Sequence, residues 1–141
     1  MRKALIVDDA GTVVSVLKNI FRQEGIEVAG VAVNGNEAVV AYRRSRPDFV
    51  TMDLLMPEMD GLEAMRMILE EDPMAKILIC TALGDSIRNE ALEAGASGFL
   101  SKPFLPADVM NELGRVFDET PEKRPGSMQK ILKHLKWIVQ G

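Results

Sequence analysis

A chain of 141 residues, 47% hydrophobic and 27% charged, can bury one proper core and is too short for two ordinary domains. Its formal net charge of −4 argues against electrostatic capture of nucleic acid, and no run approaches the roughly eighteen apolar residues of a membrane span. Met1-Arg2-Lys3 leads into only a short apolar run before Asp8 and Asp9, so neither a signal peptide nor an anchor is expected.

Short apolar runs rich in β-branched residues alternate with segments of helical periodicity, which predicts βαβ units and a parallel sheet covered on both faces. The first strand is expected at 4–7, followed by a helix carrying Val13, Val16, Leu17, Ile20 and Phe21. A second strand at 26–31 leads to a helix with Ala38, Val39 and Tyr42; a third at 49–52 leads to one with Leu62, Met65, Ile68 and Leu69. The fourth strand, 76–80, contains the single cysteine, Cys80, which cannot form an internal disulfide and reads as a small buried hydrophobe in a reducing cytoplasm. A helix with Ile87, Ala91, Leu92 and Ala94, a fifth strand at 98–100 and a helix with Val109, Leu113, Val116 and Phe117 complete the series. The expected fold is a doubly wound, five-stranded parallel α/β sheet with helices on both faces. Gly25, Gly30 and Gly95 are expected at helix C-caps or tight turns, and Pro47 and Pro73 at helix-to-strand returns.

After residues 1–118 the composition changes. Residues 119–127 read as a polar, proline-containing linker. In 128–139, Met128, Ile131, Leu132, Leu135, Ile138 and Val139 form a stripe at helical spacing, with Lys130, Lys133, His134 and Lys136 mostly on the other side. A sixth, C-terminal helix is expected. At about three turns it is marginal alone and must dock on something. Its lysines read as a solvated face and His134 as a surface residue rather than a ligand.

In an open α/β sheet, ligands sit at the carboxyl ends of the strands, where strand order reverses. Asp8 and Asp9 follow the first strand, Asp53 the third, Thr81 the fourth and Lys102 the fifth, so polar residues from separate segments emerge on one rim. Singly, Asp8-Asp9 is an exposed turn, Lys102-Pro103 a loop, Thr81 a strand residue and Asp60-Gly61 a turn dipeptide; the joint spacing carries the weight. Three crowded carboxylates repel one another, and a hard divalent cation with oxygen ligands offsets the cost most readily, which points to Mg²⁺. Lys102 offers an ammonium and Thr81 a hydroxyl to a phosphate, and an Asp carboxylate can be the nucleophile that forms an acyl phosphate. Asp53 is the central candidate.

The segments 4–10 (ALIVDDA), 50–61 (VTMDLLMPEMDG), 80–84 (CTALG) and 94–104 (AGASGFLSKPF) stand in an order and spacing that resembles the response regulator receiver domains, and among them the single-domain CheY-like members. The resemblance covers roughly residues 1–118 and implies a flavodoxin-like, CheY-like fold. It implies that Asp53 is the phosphoryl acceptor. Asp9, Asp53 and the backbone carbonyl of Leu55 would be direct Mg²⁺ ligands, with Asp8 acting through water. Lys102 would contact the phosphoryl group, Thr81 would move toward it, Phe99 would occupy the aromatic switch position, and Lys102-Pro103 would be cis. The phosphoryl donor would be a sensor histidine kinase or a phosphotransfer protein, and a downstream protein target would read the state on the face of the fourth helix, fifth strand and fifth helix. In the family, the residues two after the acceptor aspartate and two after the threonine border the hydrolytic water's path. Here they are Leu55 and Leu83, which implies slow hydrolysis.

The expected function is therefore a phosphorylation-controlled switch that catalyses only its own modification, in a chemotaxis-like two-component system, with neither nucleic acid nor membrane as partner. A haloacid-dehalogenase-type phosphatase fits poorly, because its second acid would fall at Leu55. A plain interaction module with a degenerate pocket would lack pocket residues that are all present. A stand-alone receiver is preferred over the receiver fragment of a longer regulator, since fourteen residues after Ser127 cannot form a helix-turn-helix. Docking of the C-terminal helix on its own chain, a homodimer through it, and a truncated output domain stay open.

Overall fold

The computed structural model describes residues 1–118. The expected linker at 119–127 and helix at 128–139 lie outside the described residues.

Strands β1 (Lys3–Val7), β2 (Glu27–Ala32), β3 (Phe49–Met52), β4 (Ile77–Thr81) and β5 (Gly98–Ser101) alternate with helices α1 (Gly11–Gln23), α2 (Gly35–Ser45), α3 (Gly61–Glu71), α4 (Arg88–Glu93) and α5 (Pro106–Val116). A 3₁₀ turn, Asp85–Ile87, precedes α4. The strands form one parallel sheet in the order β2-β1-β3-β4-β5. The expected doubly wound architecture is thus the observed one, and its order reverses between β1 and β3.

Because side chains alternate along a strand, each strand feeds two cores. Leu5, Val7, Val50, Met52, Ile77, Ile79 and Phe99 pack with α2, α3 and α4, whereas Ala4, Ile6, Phe49, Leu78, Cys80 and Leu100 pack with α1 and α5. Burial on both faces is why the strands read as continuous apolar runs rather than alternating ones. At the amino edge of the sheet, Phe21, Phe49 and Phe117 stack edge to face at 5.4 and 5.7 Å, and the Arg2 guanidinium lies 3.9 Å from the Phe117 ring centre.

Sequence signals and structure part company at element ends, where Lys76 precedes β4, Ile87 falls in the 3₁₀ turn and Ala94 and Phe117 are the caps that close α4 and α5, and also at Ile26 and Gly30. Ile26 stands outside β2 because its N–H donates to the Phe21 carbonyl and closes the end of α1. Gly25 and Gly95 adopt the left-handed conformations expected of turn glycines, with φ of 72° and 117°. Gly30 does not: it lies inside β2, where the register slips by one residue opposite Ala4 and Leu5. A Cβ there would sit 3.4 Å from the Leu5 side chain, an ordinary contact, so Gly30 marks the irregular place in the strand pair rather than a helix cap.

Candidate functional site

Backbone hydrogen bonds set the rim. The Asp8 N–H donates to the Ala32 carbonyl at 3.0 Å, the Asp53 N–H to the Val7 carbonyl at 2.9 Å, and the Lys102 N–H to the Thr81 carbonyl at 2.8 Å. Each functional residue is therefore held by the strand beside its own. The carboxylates of Asp8, Asp9 and Asp53 converge so that their oxygens lie within 4.8 Å of one another. Asp8 and Asp53 are buried and Asp9 is exposed, which leaves the cluster open on one side.

Lys102 comes across the cluster from the far end of the sheet. Its Nζ donates to Asp8 Oδ2 at 2.7 Å and lies 3.5 Å from Asp53 Oδ2. The Lys102-Pro103 bond is cis, as expected. Burial pushes the Lys102 pKa down, and the bond to Asp8 with the charge of Asp53 outweighs it, so the ammonium is held above its usual value. Burial pushes Asp53 above the ordinary carboxylate value; Lys102 pulls it down, Asp8 adds to the rise, and the N–H groups of Leu55 and Leu54 favour the anion. Among the described residues, one ammonium thus meets two of three clustered carboxylates, a donor set of hard oxygens in which negative charge exceeds positive. That chemistry fits Mg²⁺.

Thr81 is wholly buried at the end of β4, and its Oγ accepts the Leu83 N–H at 3.2 Å. That bond leaves its own O–H proton available to donate. Phe99 is buried among the core residues on the side of α4, with the Arg88 guanidinium 5.8 Å from its ring centre. The side chains of Leu55 and Leu83 are exposed, in the loops that follow β3 and β4.

The loop after β3 is shaped by a close approach. Gly61 opens α3, and a Cβ there would lie 2.1 Å from the Asp53 carbonyl oxygen. Asp60 caps the same helix by accepting the Glu63 N–H at 2.9 Å. The Asp60-Gly61 dipeptide is therefore both a cap and a space-maker behind the cluster.

Sequence reasoning missed Glu112. Its carboxylate is buried on α5, accepts the Phe99 N–H at 2.8 Å and pairs with Arg115. Among the described residues β5 is an edge strand, and Glu112 satisfies a backbone donor that no further strand there covers. An acidic residue inside the apolar spacing of Val109, Leu113 and Val116 was the available signal.

The sequence matches the family described as response regulator receiver domain over residues 4–114. It is 47% identical over 116 residues to the chemotaxis protein CheY of Thermotoga maritima, a match that covers 82% of this chain and 97% of that protein. In structure it is similar to the CheX-CheY-BeF3-Mg complex from Borrelia burgdorferi, with a TM-score of 0.81 and 36% identity over 84% of this chain and 90% of that one. It is also similar to the receiver domain of a sensor histidine kinase from Pseudomonas aeruginosa PAO1, described with a magnesium ion coordinated in its active-site cleft. There the TM-score is 0.72, with 31% identity over 81% of this chain and 95% of that one.

Proposed function

Because the chain belongs to the response regulator receiver domain family, we propose that it is a phosphorylation-controlled switch in which Asp53 accepts the phosphoryl group. The observation that carries this reading is the convergence of Asp8, Asp9 and Asp53 within 4.8 Å under the Lys102 ammonium. Asp9, Asp53 and the Leu55 carbonyl would hold Mg²⁺ directly, with Asp8 acting through a water. The ion supplies charge neutralisation for the incoming phosphoryl oxygens.

The protein's own part is positioning. An Asp53 carboxylate oxygen attacks phosphorus in line; the bond from phosphorus to the donor's histidine nitrogen breaks, and its electron pair stays on that nitrogen. Lys102, freed from part of its hold on Asp8, follows the developing negative charge as a point donor. The Thr81 hydroxyl turns toward the new phosphoryl oxygens, and Phe99 on the neighbouring strand β5, two residues before Thr81's partner Ser101, carries the change to the surface of α4, β5 and α5. A cleft lined there by Arg88, Phe99, Ser101, Asp108 and Arg115 suits a downstream protein. The donor would be a sensor histidine kinase or phosphotransfer protein, and no external substrate is turned over.

Kinship to CheY over 97% of the Thermotoga protein's length favours a stand-alone receiver of chemotaxis type, acting in the cytoplasm. Among the described residues no helix is long and apolar enough to cross a membrane. The test is intact mass after incubation with acetyl phosphate and Mg²⁺. Wild type should gain one phosphoryl group and Asp53→Asn none; a wild type that gains nothing would leave a pocket without chemistry. Hydrolysis of the acyl phosphate is expected to be slow, because Leu55 and Leu83 cannot orient a water. A phosphorylated lifetime of only seconds in Mg²⁺ would contradict this.

A further inference from the structure

Clefts of different chemistry notch the described surface. One, between α1 and β2, is bordered by Lys18 and Arg22. Another, over β5, is polar and charged. A third, of about 400 Å³, lies between α1 and the loop leading from β5 to α5 and is lined by Val13, Val16, Ala82, Pro103 and Phe104, with Lys102 at its side. Val16 turns an apolar side chain to solvent there, 47% exposed. We propose that this third cleft is the docking site of the chain's own C-terminal segment, which seats the stripe formed by Met128, Ile131, Leu132 and Leu135.

Reach allows it. α5 ends at Val116, and 23 residues follow Asp118. α5 returns antiparallel to the strands, so the cleft lies about one length of α5 back along it, roughly 16 Å at ~1.5 Å per residue. The nine residues 119–127 span up to ~30 Å when extended.

Charge selects among the clefts. Residues 1–118 carry 12 Lys and Arg against 19 Asp and Glu, a formal charge of −7; residues 119–141 carry five against two, +3. From 128 onward there are three lysines and no acid. The cleft beside Lys18 and Arg22 repels such a segment. In the third cleft the one cation among the described residues that line it, Lys102, is already engaged by Asp8 at 2.7 Å. A mostly apolar lining whose cation is already paired, on a body of formal charge −7, suits an apolar stripe flanked by lysines.

The test is amide hydrogen exchange on the full chain, read by mass over residues 128–139, in wild type, in Val16→Asp and in Val40→Asp, an equally exposed position on α2. Several-fold slower exchange than a free peptide is expected in wild type and Val40→Asp, and free-peptide exchange in Val16→Asp. Free-peptide exchange in wild type, or protection that survives Val16→Asp, would overturn the proposal. Protection lost on dilution would overturn it in favour of a second copy. A second measurement does not depend on a disruptive substitution: Val16→Cys with Leu135→Cys should close an intramolecular disulfide, while Val40→Cys with Leu135→Cys should not. The buried Cys80 leaves both pairs undisturbed. Equal closure of the two pairs, or disulfide-linked dimers alone, would count against it. Neither readout depends on phosphorylation, so failure of the docking and failure of the switch reading are distinguishable.

Discussion

Single side chains in this fold do two kinds of work, and burial separates them. Asp8 and Asp53 are buried where negative charge is useful to the site, while Tyr42 is buried where neutrality is needed. The Tyr42 hydroxyl donates to Asp72 Oδ2 at 2.7 Å, tying α2 to the end of α3. Desolvation, then the Asp72 carboxylate as acceptor and neighbour, raises its pKa well above the ordinary tyrosine value. The unfolded chain therefore releases this proton at lower pH than the folded one, so the contribution is whole below about pH 10 and is lost as pH rises above it. Stability should fall by up to about 1.4 kcal/mol per pH unit above pH 10, and Tyr42→Phe should flatten that slope. Tyr42 is the only tyrosine, so tyrosinate absorbance of the native protein reads it alone. An ordinary titration midpoint in folded protein would refute the assignment.

Elements are positioned by close contacts that sequence periodicity does not contain. α3 starts against the end of β3 only because position 61 has no side chain. Gly61→Ala should displace the loop behind Asp53, costing about 1–3 kcal/mol by overpacking and slowing phosphorylation. Gly114→Ala on α5, where a Cβ meets nothing within 4 Å among the described residues, should instead stabilise by about 1 kcal/mol. Paired thermal melts check both. β5 is tied to α5 through Glu112 and the Phe99 N–H. Glu112→Leu leaves that buried donor unpaired and Arg115 without its carboxylate, with an expected loss of about 1–3 kcal/mol in denaturant unfolding. Glu112→Gln keeps an acceptor oxygen and should lose less; equal losses would mean that charge rather than the hydrogen bond matters there.

For the molecule as a whole, the proposed Mg²⁺ site on the acidic rim would link cation binding to folding. A cation that binds only the folded protein stabilises it by about 2.7 kcal/mol at a hundred times its Kd. Mg²⁺ should therefore raise the Tm of wild type. In Asp53→Asn the apo protein should melt higher, since a desolvated carboxylate beside Asp8 is removed, and the Mg²⁺ increment should shrink. Equal Mg²⁺ increments in the two proteins would take Asp53 out of the cation's shell.

Much of this was legible along the chain. Two periodicities and their punctuation determined the number, kind and order of the elements, because a strand buried on both faces and a helix buried on one leave different spacings of the same apolar residues. The order of elements, with the rule that ligands gather at the carboxyl ends of strands, was enough to bring Asp8, Asp9, Asp53, Thr81 and Lys102 to one rim. Tertiary structure alone decided how they meet. The reach of Lys102 across the sheet to Asp8, the rise in the Asp53 pKa and the pairing of Glu112 with an edge-strand N–H depend on distances between residues remote in sequence. The same holds for Gly30, which lies beside the register shift between β1 and β2. Spacing along a chain encodes which face a residue occupies; desolvation and contact depend on what the rest of the fold places against that face.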